Sequence, residues 1–265
     1  RAAQIDKDGN VTLSSEIPAG KPAAEKSAED GTGESQPLYM SLNHVMEYYI
    51  FAYYFQPAIE VRCTDIPYGE YYRTYGQLAL SMQKYNGAKK AYERAIAWNP
   101  VDLDAYLGLA EVYKYQNQRE KYLTVTKQAY RYCCTRATMA RYYRNMAFYY
   151  LSGYEPETAR ACYQYSNVYY HTENADSELK YISEAIQQET PQTDIRAIQK
   201  LFDEKQIEPG PDSQTIGIVY KVGEILLKDG DYKLAKDCYS IVYDITQDAS
   251  AEKLLNELEA AIAGN

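Results

Sequence analysis

Chemistry in a chain needs nucleophiles, metal ligands or titratable pairs at workable spacings, and this sequence offers few. Its five cysteines, Cys63, Cys133, Cys134, Cys162 and Cys238, contain no CxxC, and their odd number fits neither a zinc knuckle nor a secreted disulfide framework. They read as buried reduced thiols, with the adjacent Cys133 and Cys134 as the one redox alternative. Neither His44 nor His171 has partners at a metal-ligand spacing, so no metal and no cofactor is expected. No phosphate loop, dinucleotide fingerprint, nucleophile elbow or HExxH occurs. The many Asp and Glu read as solvated helix faces, since nothing pairs them with an apolar cleft that would raise a pKa. The chain therefore reads as a non-enzyme. What stands out is a basic band over residues 112–154, where Lys114, Arg119, Lys121, Lys127, Arg131, Arg136, Arg141 and Arg144 face a single acid, Glu120, in a chain of net charge −9. Such a band attracts an acidic peptide or a phosphate backbone, or else neutralises acidic surface of its own chain or of a second copy.

The elements that position these cations are clearest over residues 72–100. Tyr72, Tyr75, Gly76 and Ala79 share one helical face; Ala88, Tyr92, Ala95 and Ile96 share another; polar residues 83–87 lie between them. Gly76 opposite Ala88 and Ala95 lets two helices approach closely, and Pro100 stops the second. Slid along by 34 residues the pattern returns as Tyr106, Leu109, Ala110, Tyr113, Tyr122, Thr126 and Ala129, and 37 further on as Tyr143, Met146, Ala147, Tyr150, Ala159 and Tyr163. It is sharpest near the C-terminus, in Val219, Val222, Gly223, Leu226, the turn Gly230-Asp231-Tyr232, Ala235 and Tyr239. A degenerate copy places Tyr181, Ala185, Ala197 and Leu201 in register, broken by Pro191. With these residues the chain resembles the tetratricopeptide repeat family. The resemblance implies an all-α fold, an α-solenoid of helix pairs in a right-handed superhelical array, used as a scaffold for protein or peptide partners. Repeats that stack only on neighbours should form one array over residues 38–265.

The resemblance also implies a concave face lined by first helices. One subclass of the family grips a carboxylate there; this chain has Arg73 and Gln77 at its first-repeat positions, Gly108 at the second, and Arg141 and Asn145 at the third, with Arg144 adjacent. Cations are kept in kind and partners altered, so the expectation is a basic groove rather than a carboxylate clamp. Gly108 would leave room between the cations, and Tyr115 and Phe148 would supply apolar anchors. An acidic extended peptide is the expected ligand, a self-associating homo-oligomer the alternative, and nucleic acid is disfavoured by acidic stretches flanking the band.

The remaining segments frame this array. Residues 1–37, nearly free of aromatics, cannot bury a core and read as a flexible tail. Within it Asp8-Gly9 between short β-prone runs suits a small hairpin over residues 5–13, whereas the acidic loop lacks the glycine and distal glutamate of a calcium site. Residues 38–55 are the most apolar run, yet Asn43, His44 and Glu47 sit inside it, so it reads as a buried N-terminal helix rather than a membrane span. Residues 56–71, with Pro57 and Pro67, read as an irregular connector. Residues 249–263, with Leu254, Leu255, Leu258 and Ile262 on one face, read as a capping helix. The 31 tyrosines against four phenylalanines imply a core packed with tyrosine rings whose hydroxyls reach carbonyls or solvent. The chain opens on Arg1, leaving a preceding signal, anchor or domain open, and the expected localisation is cytoplasmic.

Overall fold

A computed structural model describes residues 3–5, 11–13 and 37–263, and the chain divides into two compact units, Arg1–Val125 and Thr126–Asn265. Twelve helices and two short strand pairs make up the described residues.

In the first unit, β1 (Ala3–Ile5) pairs antiparallel with β2 (Val11–Leu13), Ile5 opposite Val11, with residues 6–10 of the expected hairpin outside the described residues. The run over 38–55 is not one helix. Its first residues form β3 (Leu38–Met40), parallel to β4 (Val61–Cys63), with Leu38 and Met40 buried and Tyr39 exposed. That alternation is a strand period inside an apolar run, which hydrophobicity alone does not separate from a helix. The strand pair also corrects the expectation of an irregular connector over 56–71. Helix α1 (Val45–Phe55) starts only after His44, whose backbone is extended, and Glu47 reaches back to accept from the Asn43 amide at 2.6 Å. The bond goes to the amide of the residue before the N-cap rather than to the N-cap itself, and satisfying that amide is a reason for an acid to interrupt the run.

Helix pairs follow. Helices α2 (Tyr68–Ser81) and α3 (Tyr85–Trp98) pack together and α4 (Leu103–Tyr115) lies against both. Helix α5 (Arg119–Tyr130) crosses the division between units. In the second unit α6 (Arg136–Ser152) packs on α7 (Pro156–Tyr169), and α10 (Ser213–Lys228) on α11 (Tyr232–Thr246), which α12 (Ala249–Ala263) covers. Four inter-helix turns are the same structure. Gln83, Asn117, Tyr154 and Gly230 each take a left-handed backbone, and the next amide closes a six-residue loop: Lys84 to Ala79, Gln118 to Tyr113, Glu155 to Tyr150 and Asp231 to Leu226, at 2.8–3.0 Å. This is the Schellman bond that satisfies a helix C-terminus. The same bond ends two further helices, from Gln188 to Ser183 and from Ile207 to Phe202, so it is the helix pairs joined by the four turns, rather than the bond alone, that match the helix-turn-helix repeats the resemblance implied.

The degenerate copy is displaced by one residue. Helices α8 (Glu173–Ile186) and α9 (Ile195–Lys205) each pack on α7, and they bury Ile182, Ile198 and Phe202, while Tyr181, Ala185 and Ala197 are exposed. A one-residue shift turns a helical face by about 100°, and the larger apolar residues win the core.

Tyrosine fills both interiors. In the first unit the Tyr92 ring, 2% exposed, lies against Gly76 of α2 and Gly108 of α4; a Cβ would meet it at 3.0 Å at Gly76 and at 2.3 Å at Gly108. Tyr239 lies on Gly223 in the same manner. In the second unit Tyr143, Tyr165, Tyr169 and Phe202 form one aromatic cluster with centroids 4.8–5.7 Å apart. Their hydroxyls find carbonyls, as expected: Tyr143 donates to Glu208, Tyr150 to Lys205 and Tyr165 to Pro209, while Tyr106 in the first unit donates to Pro100.

A buried polar knot ties the strand pair and α1 to the helix pair. The Ser41 amide donates to the Trp98 carbonyl, the Ser41 hydroxyl accepts from the Gly69 amide, and Asn99 Nδ2 donates to Glu47 Oε2 at 2.8 Å. Burial raises the Glu47 carboxyl above its ordinary 4.5, against the lowering hydrogen bonds from Asn43 and Asn99, and burial likewise raises Asp102.

Two outcomes follow from these contacts. Gly108→Ala should destabilise by about 1 to 3 kcal/mol, because the Tyr92 ring has nowhere to move, whereas Gly217→Ala should stabilise by roughly 0.4 to 1 kcal/mol, because its Cβ would meet nothing within 4 Å on α10. Thermal melts of the two variants check this, and equal melting temperatures would show that the ring is free to shift. For Glu47, a folded pKa above the unfolded value means that the native state binds more protons between the two, so stability falls as pH rises from about 4.5 through the folded value. Denaturant titrations across that window should show a shallower fall in Glu47→Gln; an unchanged slope would assign it to other groups.

Candidate functional site

The anticipated groove residues divide between the units. In the first unit, Arg73 leaves α2 toward the start of α4, where its Nη1 lies 3.2 Å from Asp102 Oδ1 and 3.5 Å from Asp104 Oδ2. Asp102 is fixed there because it caps α4, its Oδ1 accepting from the Ala105 amide at 3.1 Å. The Arg73 charge is thus matched by the cap of the first helix of the next repeat, which makes it a strut of the fold and a poor free cation. Gln77 is exposed, one turn along α2. Tyr115, 59% exposed, ends α4 and stacks on Tyr85 of α3 at 5.5 Å. Gly108 makes no room in a groove, since its missing Cβ is the space that the Tyr92 ring occupies.

In the second unit, Arg141, Arg144, Asn145 and Phe148 recur three and four residues apart and so share one face of α6. Helical geometry puts them opposite Tyr143 and Tyr150, which point into the core. Arg144 is half-buried, and its Nη1 donates to the Tyr170 carbonyl at 3.4 Å. Nearby Arg136 donates to the Tyr169 and Val168 carbonyls at 3.0 and 2.7 Å. These guanidiniums cover the carbonyl end of α7, where cations are favoured. Arg141 is half-buried as well and makes no ion pair among the described residues. Burial lowers the proton affinity of Arg144 and Arg141 lowers it further, while no carboxylate offsets them. Other cations do have one, among them Lys205 with Glu155, Lys221 with Glu224, Lys236 with Glu259 at 2.9 Å and Arg62 with Glu60 at 2.9 Å. Asn145 is 6% exposed, with a buried Nδ2 that has no hydrogen-bond partner. It stands where the repeat register puts Gly108, so it belongs more to packing than to an open surface. Phe148 is half-buried.

No other constellation competes. Burial pushes the thiols of Cys133 and Cys162 well up and that of Cys134 to about 11, so they are protonated near neutral pH and unsuited to nucleophilic or redox work. His171 does meet a carboxylate, Asp176, at 2.7 Å, but no group of three metal-ligating side chains occurs among the described residues. Nor is any described helix long and apolar enough to cross a membrane. Residues 205–209, between α9 and α10, lie across tyrosine hydroxyls of α6 and α7, a contact that sequence periodicity could not reveal because the partners are 44 to 65 positions apart.

No family model and no curated protein matches this sequence. Among solved structures the chain is similar to one from the APC/C hetero-tetramer Cut9-Hcn1, at 13% identity over 73% of this chain with a TM-score of 0.41, and it spans 36% of that chain's length. It is also similar to YrrB, described as a TPR protein with an unusual peptide-binding site, at 15% identity over 74% of this chain and 92% of that one, TM-score 0.38. A third, MamA, stands at 13% identity over 74% of this chain and 88% of that one, with a TM-score of 0.31. These values assign neither a family nor a ligand to the chain.

Proposed function

We propose that this chain is a protein-interaction scaffold, and that the α6 face carrying Arg141, Arg144 and Phe148 binds an extended acidic peptide segment. The observation that carries the reading is two half-buried guanidiniums three residues apart on one helix face, Arg141 lowering the proton affinity of Arg144, with no ion pair to a carboxylate at either among the described residues. Such a pair is relieved by an incoming anion, and Arg meets a carboxylate with two parallel hydrogen bonds. Phe148 lies one helical turn beyond Arg144 and offers an apolar contact beside the charges. The opposite face of the same helix supports the idea by example, since its Tyr143 and Tyr150 hold the carbonyls of Glu208 and Lys205 of this chain. A long phosphate backbone fits less well, because the first turn of α8 is acidic, with Glu173 and Asp176. Arg73, matched by Asp102, takes no part in this reading, and Gln77 and Tyr115 are exposed polar and aromatic contacts of the first unit.

Exposed charge pairs contribute about 0.2 to 1 kcal/mol each, so two arginines amount to roughly two- to thirtyfold in affinity. Fluorescence anisotropy with labelled acidic and neutral peptides of equal length should show preference for the acidic one, and Arg141→Glu with Arg144→Glu should remove that preference, with far-UV circular dichroism checking that the variant keeps its helices, since Arg144 also covers the carbonyl end of α7. Equal binding of both peptides by the native chain, or of the acidic peptide by the double variant, would make this face ordinary surface.

A further inference from the structure

On α2 a second surface has no partner among the described residues. Tyr71, Tyr75, Leu78 and Met82 are 60, 56, 57 and 53% exposed, and they recur at intervals of four, three and four residues. They form one apolar stripe about 16 Å long, with no charged residue among them. Scattered apolar residues on a surface need no explanation, but a contiguous stripe of this length does. The repeat register sharpens the point. Thirty-four residues on, the same positions in α4 are Ala105, Leu109 and Val112, exposed by 0, 2 and 0%. Within this unit α4 is covered by the preceding pair, α2 and α3. On α2 the matching face carries larger apolar side chains and is open, so what fits it is another helix laid along it.

We infer that this stripe is a dimer seam, in which α2 of one chain packs antiparallel on α2 of a second copy. The four-three-four spacing is that of the knob positions of a coiled-coil seam. In an isologous contact every residue i that meets j is matched by j meeting i. A two-fold axis midway between Gly76 and Gln77 satisfies this with all four knobs, setting Tyr75 on Leu78 of the second copy and Tyr71 on Met82 of the second copy. Each aromatic ring then meets an aliphatic or thioether side chain, a favourable pairing, rather than a second tyrosine. The flanking charge is compatible as well, since Glu70 falls opposite Gln83 of the second copy and no like charges meet. The seam is small, on the order of a few hundred Å² a side against about 800 Å² for a standard interface, which places the dimer at the weak end, populated only at high protein concentration. It is independent of the α6 arginines.

Sedimentation of the native chain over a wide concentration range should show a monomer–dimer equilibrium. Leu78→Glu and Tyr75→Lys change exposed residues and should leave the helical circular dichroism and melting temperature in place, while each weakens self-association at least tenfold by setting a charge against an apolar side chain. Mixing the two variants should restore dimers, because Glu at position 78 of one chain then faces Lys at position 75 of the other, while the second contact of the seam keeps its native Tyr75 on Leu78. Arg141→Glu with Arg144→Glu should dimerise as the native chain does. A native chain that stays monomeric throughout, variants that dimerise as well as it does, or a mixture that stays monomeric would each overturn the antiparallel seam.

Discussion

The Tyr92 ring lies between two glycines, Gly76 of the helix paired with its own and Gly108 of the helix that follows, and the first unit is built around that contact. A ring inserted at the junction of three helices excludes water from all of them at once, and burying an aromatic of this size is a large contribution for a single side chain. It is admitted only because two first helices each lack a Cβ at the point of contact. The cost of glycine within a helix, about 1 kcal/mol apiece relative to alanine, is offset by that packing. Tyr239 against Gly223 repeats the arrangement in the second unit, with the ring again 0% exposed. Helix pairs in this chain are therefore spaced by tyrosine rings seated on small residues, and loss of a ring or gain of a methyl group acts on the spacing of whole helices.

Tyrosine serves here in three settings that phenylalanine could not all fill. In the second-unit cluster its ring stacks on other rings while its hydroxyl holds the carbonyls of Lys205, Glu208 and Pro209, which satisfies backbone that would otherwise be orphaned between α9 and α10. On α2 the same residue type stands half in water. At Tyr154, 94% exposed, it occupies the left-handed turn position that Gly230 takes in the last repeat. That turn is dictated by the Schellman bond rather than by residue type, since Gln83 and Asn117 adopt it too.

The helix pairs were legible in the sequence because small residues, tyrosines and the turn recur together at a fixed period, and each of these reports a local constraint. What escaped was set by contacts distant in sequence. An apolar run over 38–55 does not announce that Leu38–Met40 will pair with Val61–Cys63, since both strand and helix suit it. The placement of Tyr181 and Ala197 in register followed the period, but the bulkier Ile182, Ile198 and Phe202 one position along took the core. Arg73 matched a groove position by type, and only the fold brings Asp102, the cap of a later helix, within 3.2 Å of it. Arg141 and Arg144 were legible as cations; that neither has a carboxylate partner was not.

The repeat register also accounts for the two orphaned polar groups that begin the second unit. Thr126 stands where Tyr92 stands one repeat earlier, and Asn145 where Gly108 stands, so the large-on-small pair of the first unit is replaced by two residues of middle size. Both are buried, Thr126 at 0% and Asn145 at 6% exposure, and the Thr126 hydroxyl and Asn145 Nδ2 each lack a partner. A buried donor or acceptor left unmade costs about 1 to 3 kcal/mol, and the Tyr239 hydroxyl on Gly223 is buried without a partner as well. Exchanging Tyr and Gly for Thr and Asn keeps the summed volume near constant but trades apolar packing for polar atoms. It also places a side chain on the face of α6 where Gly108 leaves α4 bare, and on that face Arg141 and Arg144 stand without a carboxylate. The departure from the repeat and the two arginines thus fall on the same helix, the first buried within the packing and the second at its edge.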